Sequence, residues 1–171
     1  MKKLLLFALI LLLSALIIGC TVLGNQSQQN EEETQQIDEA DKKAVANIVE
    51  SFGKKLQEVS LLAPKEVLEK SMKESYGDFV TSELIEKWIR DPMNAPGRLT
   101  SSPWPDRIEI LAIDKLAEDR YEVKGEVIEV TSTEKTEDGI AAKRPITLAV
   151  RKIDGRWLID DVKLGDYEEI K

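Results

Sequence analysis

The 171-residue sequence predicts an α+β fold, with three N-terminal helices packed on a curved antiparallel sheet of about four strands. Three observations carry this expectation. Between Asp38 and Ile89 apolar residues recur at three- and four-residue steps, the period of amphipathic helices. After Arg107 the period drops to two, that of half-buried strands. Asp154 and Gly155 then sit between two alternating runs, a strong signal for a two-residue hairpin turn.

The chain opens on a different kind of segment. Lys2 and Lys3 precede an apolar run from Leu4 to Leu13, which resumes after Ser14 and ends in Ile17, Ile18, Gly19 and Cys20. A positive start, an apolar centre and a small-residue end form a secretory signal. The apolar run is shorter than the roughly 20 residues a helix needs to cross the hydrocarbon core. From Thr21 to about Ile37 the chain is dominated by Gln, Asn, Glu and Ser. That composition predicts a flexible linker with a random-coil reach of about 20 to 25 Å.

The first helix is expected from Asp38, with Ala40, Ala44, Val45, Ile48, Val49, Phe52, Leu56 and Val59 on one face and Asp38 or Asp41 as its cap. Pro64 suits the start of a second helix, lined by Val67, Leu68, Ser71, Met72 and Tyr76 and stopped by Gly77. Thr81 or Ser82 can cap a third, whose stripe of Leu84, Ile85, Trp88 and Ile89 ends before Pro92. Asp91 to Asp106 holds four prolines and is expected to be irregular. It is either a stiff bridge from helices to sheet or a functional loop.

In the strands, Tyr121, Val123, Gly125 and Val127 share a face until the alternation jumps to Ile128 and Val130. This slip predicts a β-bulge at Val127 and Ile128, and with it a bent sheet. A polar tip, Thr133 to Gly139, follows. With Asp154 and Gly155 as the turn, Lys152 should face Trp157, Val150 should face Ile159, and Leu148 should face Asp161. Ile146, Leu148, Val150, Trp157, Ile159 and Asp161 would then point to the core, and Leu158, Val162 and Leu164 outward.

Two resemblances extend this reading. Ile17, Ile18, Gly19 and Cys20 resemble the lipobox of bacterial lipoproteins. That implies cleavage between Gly19 and Cys20, a diacylglycerol on the Cys20 sulfur, and a membrane-held, extracytoplasmic domain from residue 38 to 171; two acyl chains give stable anchoring. The order of three helices and a curved sheet, closing on Gly155 to Lys163 (GRWLIDDVK), resembles the nuclear transport factor 2-like superfamily. That family is an α+β cone with a pocket at its wide end, used by some members for isomerase or dehydratase chemistry and by others only for binding.

Composition removes several functions. The sequence contains no histidine and one cysteine, so Ser-His-Asp and Cys-His catalysis are excluded, and the lipid would consume the only thiol. The net charge is −8, and without Lys2 and Lys3 the chain holds 22 basic and 32 acidic residues. Phosphate backbones repel such a chain, and no nucleic-acid partner is expected. No cofactor is expected either. Asp160, Asp161, Asp166, Glu168 and Glu169 are numerous but lack the spacing of a calcium loop.

Asp161 is the leading candidate acid. On the concave face it would be desolvated and suited to proton transfer with Tyr76 or Tyr121 as donor; at the rim it would be solvated, or paired with Lys163 or Arg107. Arg98, Trp104 and Arg107 form a second constellation that could grip a carboxylate or a ring, with Trp157 nearby in the closing strand. The outer face, with Leu158, Val162 and Leu164, suits a protein partner or a homodimer. Together these predict a non-enzymatic lipoprotein that binds a small ligand or a protein at the cell envelope. The alternative is a cofactor-free isomerase or lyase based on Asp161.

Overall fold

The computed structural model describes residues 22–137 and 139–170. The elements run α1 (Val22–Lys55), α2 (Lys65–Tyr76), α3 (Ser82–Arg90), β1 (Trp104–Ala117), β2 (Arg120–Val130), α4 (Ser132–Glu137), β3 (Ala142–Ile153), β4 (Arg156–Leu164) and β5 (Glu168–Glu169). The architecture is the expected α+β arrangement. Three helices precede an antiparallel sheet of order β1-β2-β3-β4, with β5 paired to β3. The chain divides into two compact units, Met1–Asp41 and Lys42–Lys171. The second contains the sheet and its core.

The first helix begins at Val22 rather than at Asp38. Residues Thr21 to Ile37 read as a linker because they have little to bury, yet Gln and Glu are good helix formers and no proline interrupts them. Asp38 and Asp41 are therefore internal to the helix and do not cap it. The other two helices begin where their caps predict. Pro64 precedes α2, and the Thr81 hydroxyl accepts from the Leu84 N–H at 3.3 Å to open α3.

One apolar cluster joins helices and sheet. Val45, Val49, Phe52 and Leu56 of the first helical stretch pack with Met72, Tyr76 and Trp88, and these meet Tyr121, Val123, Leu148, Val150 and Ile159 of the sheet. Phe52, Tyr76 and Trp88 form an aromatic triangle with ring centroids 5.0, 5.9 and 6.3 Å apart. Large rings in edge and stacked contact fill volume efficiently, and here they occupy the space between helices and sheet. Where α1 meets β1, a Cβ added to Gly53 would lie 2.6 Å from the Ile108 backbone nitrogen, so only glycine lets the two come this close.

The loop between α3 and β1 is a bridge built into the fold. Tyr76 donates its hydroxyl to the Pro96 carbonyl at 2.9 Å. The Arg98 N–H donates to Val59 O at 2.8 Å, and the Leu61 N–H donates to Arg98 O at 2.9 Å.

The curvature arises elsewhere than predicted. β2 pairs with β3 without interruption from Arg120 to Glu129, so no bulge lies at Val127 and Ile128. The apolar pattern slips there because both faces are covered. Val127 joins the main core, whereas Ile128 and Val130 are buried outside it, where α4 packs on β2. The register shifts lie in β1, at Pro105/Arg107, Ile110/Ala112 and Lys115/Ala117, and in the β3–β4 pair at Ala149/Val150.

That last shift corrects the hairpin. Asp154 and Gly155 form the turn at positive φ, and Lys152 faces Trp157 and Val150 faces Ile159 as expected. Asp160 is then an extra residue, so Ala149 faces Asp161 and Leu148 faces Val162. Val162 is 8% exposed within the core and Leu164 packs against it, so neither contributes to an apolar outer face. The outer face is instead laced with ion pairs, including Lys143–Glu126 at 3.0 Å and Arg151–Asp160 at 3.1 Å.

Candidate functional site

The bulge decides where Asp161 goes. Its side chain is 40% exposed, and its carboxylate accepts from Lys87 Nζ of α3 at 3.0 Å. It is neither desolvated on the concave face nor paired with Lys163 or Arg107. Tyr76 is fully buried, its hydroxyl is committed to Pro96, and burial pushes its pKa far above the ordinary phenol value. Tyr121 is also buried and meets the Trp157 ring edge-on at 5.2 Å, with Lys152 Nζ 5.1 Å from the centroid of the Trp157 ring. Asp161, Tyr76 and Tyr121 thus occupy different environments, two of them in the packed interior.

The second constellation is also dispersed. Arg107 donates to Glu109 at 2.5 Å and to Asp106 at 3.2 Å, while Asp106 also engages Lys135 of α4. Its guanidinium is occupied by acids of its own strand. Arg98 is held through its backbone to Val59 and Leu61, and Trp104 opens β1 opposite Val130. Among the described residues, no group of three or more His, Cys, Asp or Glu side chains could hold a metal ion.

A cleft of about 380 Å³ lies between the end of α3 and the end of β4. Lys87 and Trp88 come from α3, Met93 and Asn94 from the turn after it, Arg144 from β3, and Val162, Lys163 and Leu164 from β4. The volume is within the range of small-molecule sites. Arg144 is its distinctive residue. Its Nε donates to the Gly165 carbonyl at 2.8 Å, which fixes the plane of the guanidinium. Elsewhere in the domain Arg90, Arg107 and Arg151 are each ion-paired, to Glu86, Asp106 with Glu109, and Asp160. Arg144, like Arg98, Arg120 and Arg156, has no such pair among the described residues, and of these four it alone lines this cleft.

Glu129 lies near Arg144 without pairing directly. Burial raises the Glu129 pKa above the usual carboxylate value, against the opposing pull of Arg144 and a hydrogen bond from Tyr167. Tyr167 is itself shifted upward, first by burial and then by Glu129 and Glu169. A second cleft, of about 550 Å³, runs between Glu50 and Lys54 of α1 and residues 107–111, but its arginine is the committed Arg107. A third, of about 480 Å³, includes Arg151, which is bound to Asp160.

Sequence reasoning missed Arg144 because it stands in a strand beside Lys143 and reads as half of a solvated basic pair. Its partner Gly165 is distant in sequence, and the only local signal is that Ala142, Arg144 and Ile146 share one phase of the alternation. The Gly19–Cys20 motif lies outside the described residues. No helix among the described residues is long and apolar enough to cross a membrane.

No family model and no curated protein matches the chain. Solved structures similar to it include a protein of unknown function from Bacteroides thetaiotaomicron, 23% identical, with a TM-score of 0.41 over 80% of this chain and 98% of that one. An NTF-2 like protein of unknown function from Shewanella oneidensis is 16% identical, with a TM-score of 0.34 over 62% of this chain and 93% of that one. An Rd1NTF2 variant is 15% identical, with a TM-score of 0.32 over 57% of this chain and 82% of that one.

Proposed function

We propose that this chain is a bacterial lipoprotein, anchored through diacylated Cys20 on the extracytoplasmic side of the membrane, whose α+β domain is a non-catalytic module that binds a small ligand. The anchoring part rests on the tripartite segment from Lys2 to Cys20. The non-catalytic part rests on one structural observation: Phe52, Tyr76 and Trp88 fill the space between helices and sheet. No acid enters that core, since the bulge at Asp160 turns Asp161 out to Lys87. Without histidine, little remains to run proton transfer in a dry pocket. Binding is then left to surface clefts, and the one that holds Arg144 has a fixed donor group to offer.

Anchoring is tested by labelling with a radioactive or clickable palmitate in cells that express the wild type and Cys20→Ser. The wild type should take up label and sediment with membranes, and Cys20→Ser should lose the label. Equal labelling of both proteins would overturn the lipoprotein assignment.

A further inference from the structure

The cleft at the end of α3 has features that narrow its ligand. Trp88 and Val162, both nearly buried, line it with Leu164 and the exposed Met93, and its basic groups come from three elements: Lys87, Arg144 and Lys163. One of these charges is answered, since Asp161 engages Lys87 at 3.0 Å, while Glu129 lies only within electrostatic reach of Arg144. The cleft thus favours an anion, and Arg144 adds geometry to charge. The Arg144 fork is held by the Gly165 carbonyl through Nε, and both Nη groups are without a hydrogen-bond partner among the described residues. A guanidinium already fixed in plane loses little freedom on binding, and its two Nη groups match the two oxygens of one carboxylate.

We propose that this cleft takes a small amphipathic monocarboxylate, its carboxylate on the Arg144 guanidinium and its apolar body against Met93 and Leu164. The proposal rests on the ligand-binding reading above and specifies its ligand class. Lys87 and Lys163 flank the site as flexible point charges; the planar, bidentate contact belongs to Arg144. An arginine that served only to tie β3 to Gly165 would be indifferent to any carboxylate in solution.

The test is calorimetric titration of the full chain in nanodiscs with 3-phenylpropanoate, its neutral alcohol 3-phenylpropanol, and inorganic phosphate. Binding of the carboxylate is expected, with the alcohol and phosphate each weaker by about tenfold or more. Arg144→Met should weaken carboxylate binding by at least that factor while its thermal melt stays cooperative. Arg144→Lys, which keeps the charge and loses the fork, should recover only part of it. No carboxylate binding by the wild type, equal binding by Arg144→Met, or phosphate binding as tight as the carboxylate would each overturn the proposal. If Arg144→Met does not fold, protection of the wild-type Arg144 from phenylglyoxal by 3-phenylpropanoate decides the matter, and absence of protection counts against it. Palmitate labelling is independent of all these outcomes, so loss of this ligand class leaves the lipoprotein assignment standing.

Discussion

Asp161 and Arg144 show that a charged side chain's role depends on what faces it. Asp161 reads as an acid on the core face, yet it is a surface partner of Lys87, and exposed pairs of this kind contribute roughly 0–1 kcal/mol. Arg144 reads as solvated, yet its plane is fixed by the Gly165 carbonyl and Glu129 lies within its electrostatic reach without a direct pair. Neither fact is local, and both depend on residues far away in sequence. Glu129 offers a pH test at the same scale. Burial raises its folded-state pKa, so the folded state binds its proton more tightly than the unfolded chain does. The ionised group therefore costs stability at neutral pH, and the cost disappears as pH falls through the folded-state pKa and then the unfolded one. Glu129→Gln should raise the melting temperature at pH 7 and lose that advantage near pH 4, as read by circular dichroism. At Gly53, alanine gains about 1 kcal/mol of helix propensity, but its Cβ would meet the Ile108 nitrogen. Gly53→Ala should lower stability by about 1–3 kcal/mol in urea unfolding, because backbone cannot move aside as a side chain can.

Elements were legible wherever one face alone is buried. The stripe of α3, that of α2 apart from Val67, which is exposed, the stop at Gly77 and the Asp154–Gly155 turn all appear close to where periodicity and turn chemistry place them. The errors fall where that condition fails. Ile128 and Val130 look like a phase slip because both faces of β2 are covered at that end. The polar tip after β2 contains a short helix whose signal was present: Thr131 and Glu134 form a capping box, with the Thr131 N–H donating to the Glu134 carboxylate at 3.1 Å. The bulge at Asp160 carries no such mark, since two adjacent aspartates fit either register. Its importance can be measured. Deleting Asp160 would remove the extra residue and leave Asp161 opposite Ala149 and Val162 opposite Leu148, each on its present face. The deletion should therefore cost little more than the Arg151–Asp160 pair, about 1 kcal/mol in urea unfolding, and Asp161→Ala should likewise stay within about 1 kcal/mol.

For the whole molecule, layer order and α+β class follow from the change of period near Arg107, and the structure has both. The state of the interior does not follow from pattern, because an open cone and a filled one use the same apolar stripes. Phe52, Tyr76 and Trp88 close it through contacts among three helices that no window of sequence contains. The cleft at Arg144 is illegible for the same reason, being assembled from α3, the turn after it, β3 and β4. The register shifts of β1 have a separate consequence. β1 is an edge strand with Leu111 and Leu116 exposed at 67% and 59%, and such a strand invites pairing with other chains. Three interruptions within fourteen residues break its row of free amides and carbonyls into short, misaligned pieces. So interrupted, the edge offers no continuous template on which a second chain could extend the sheet.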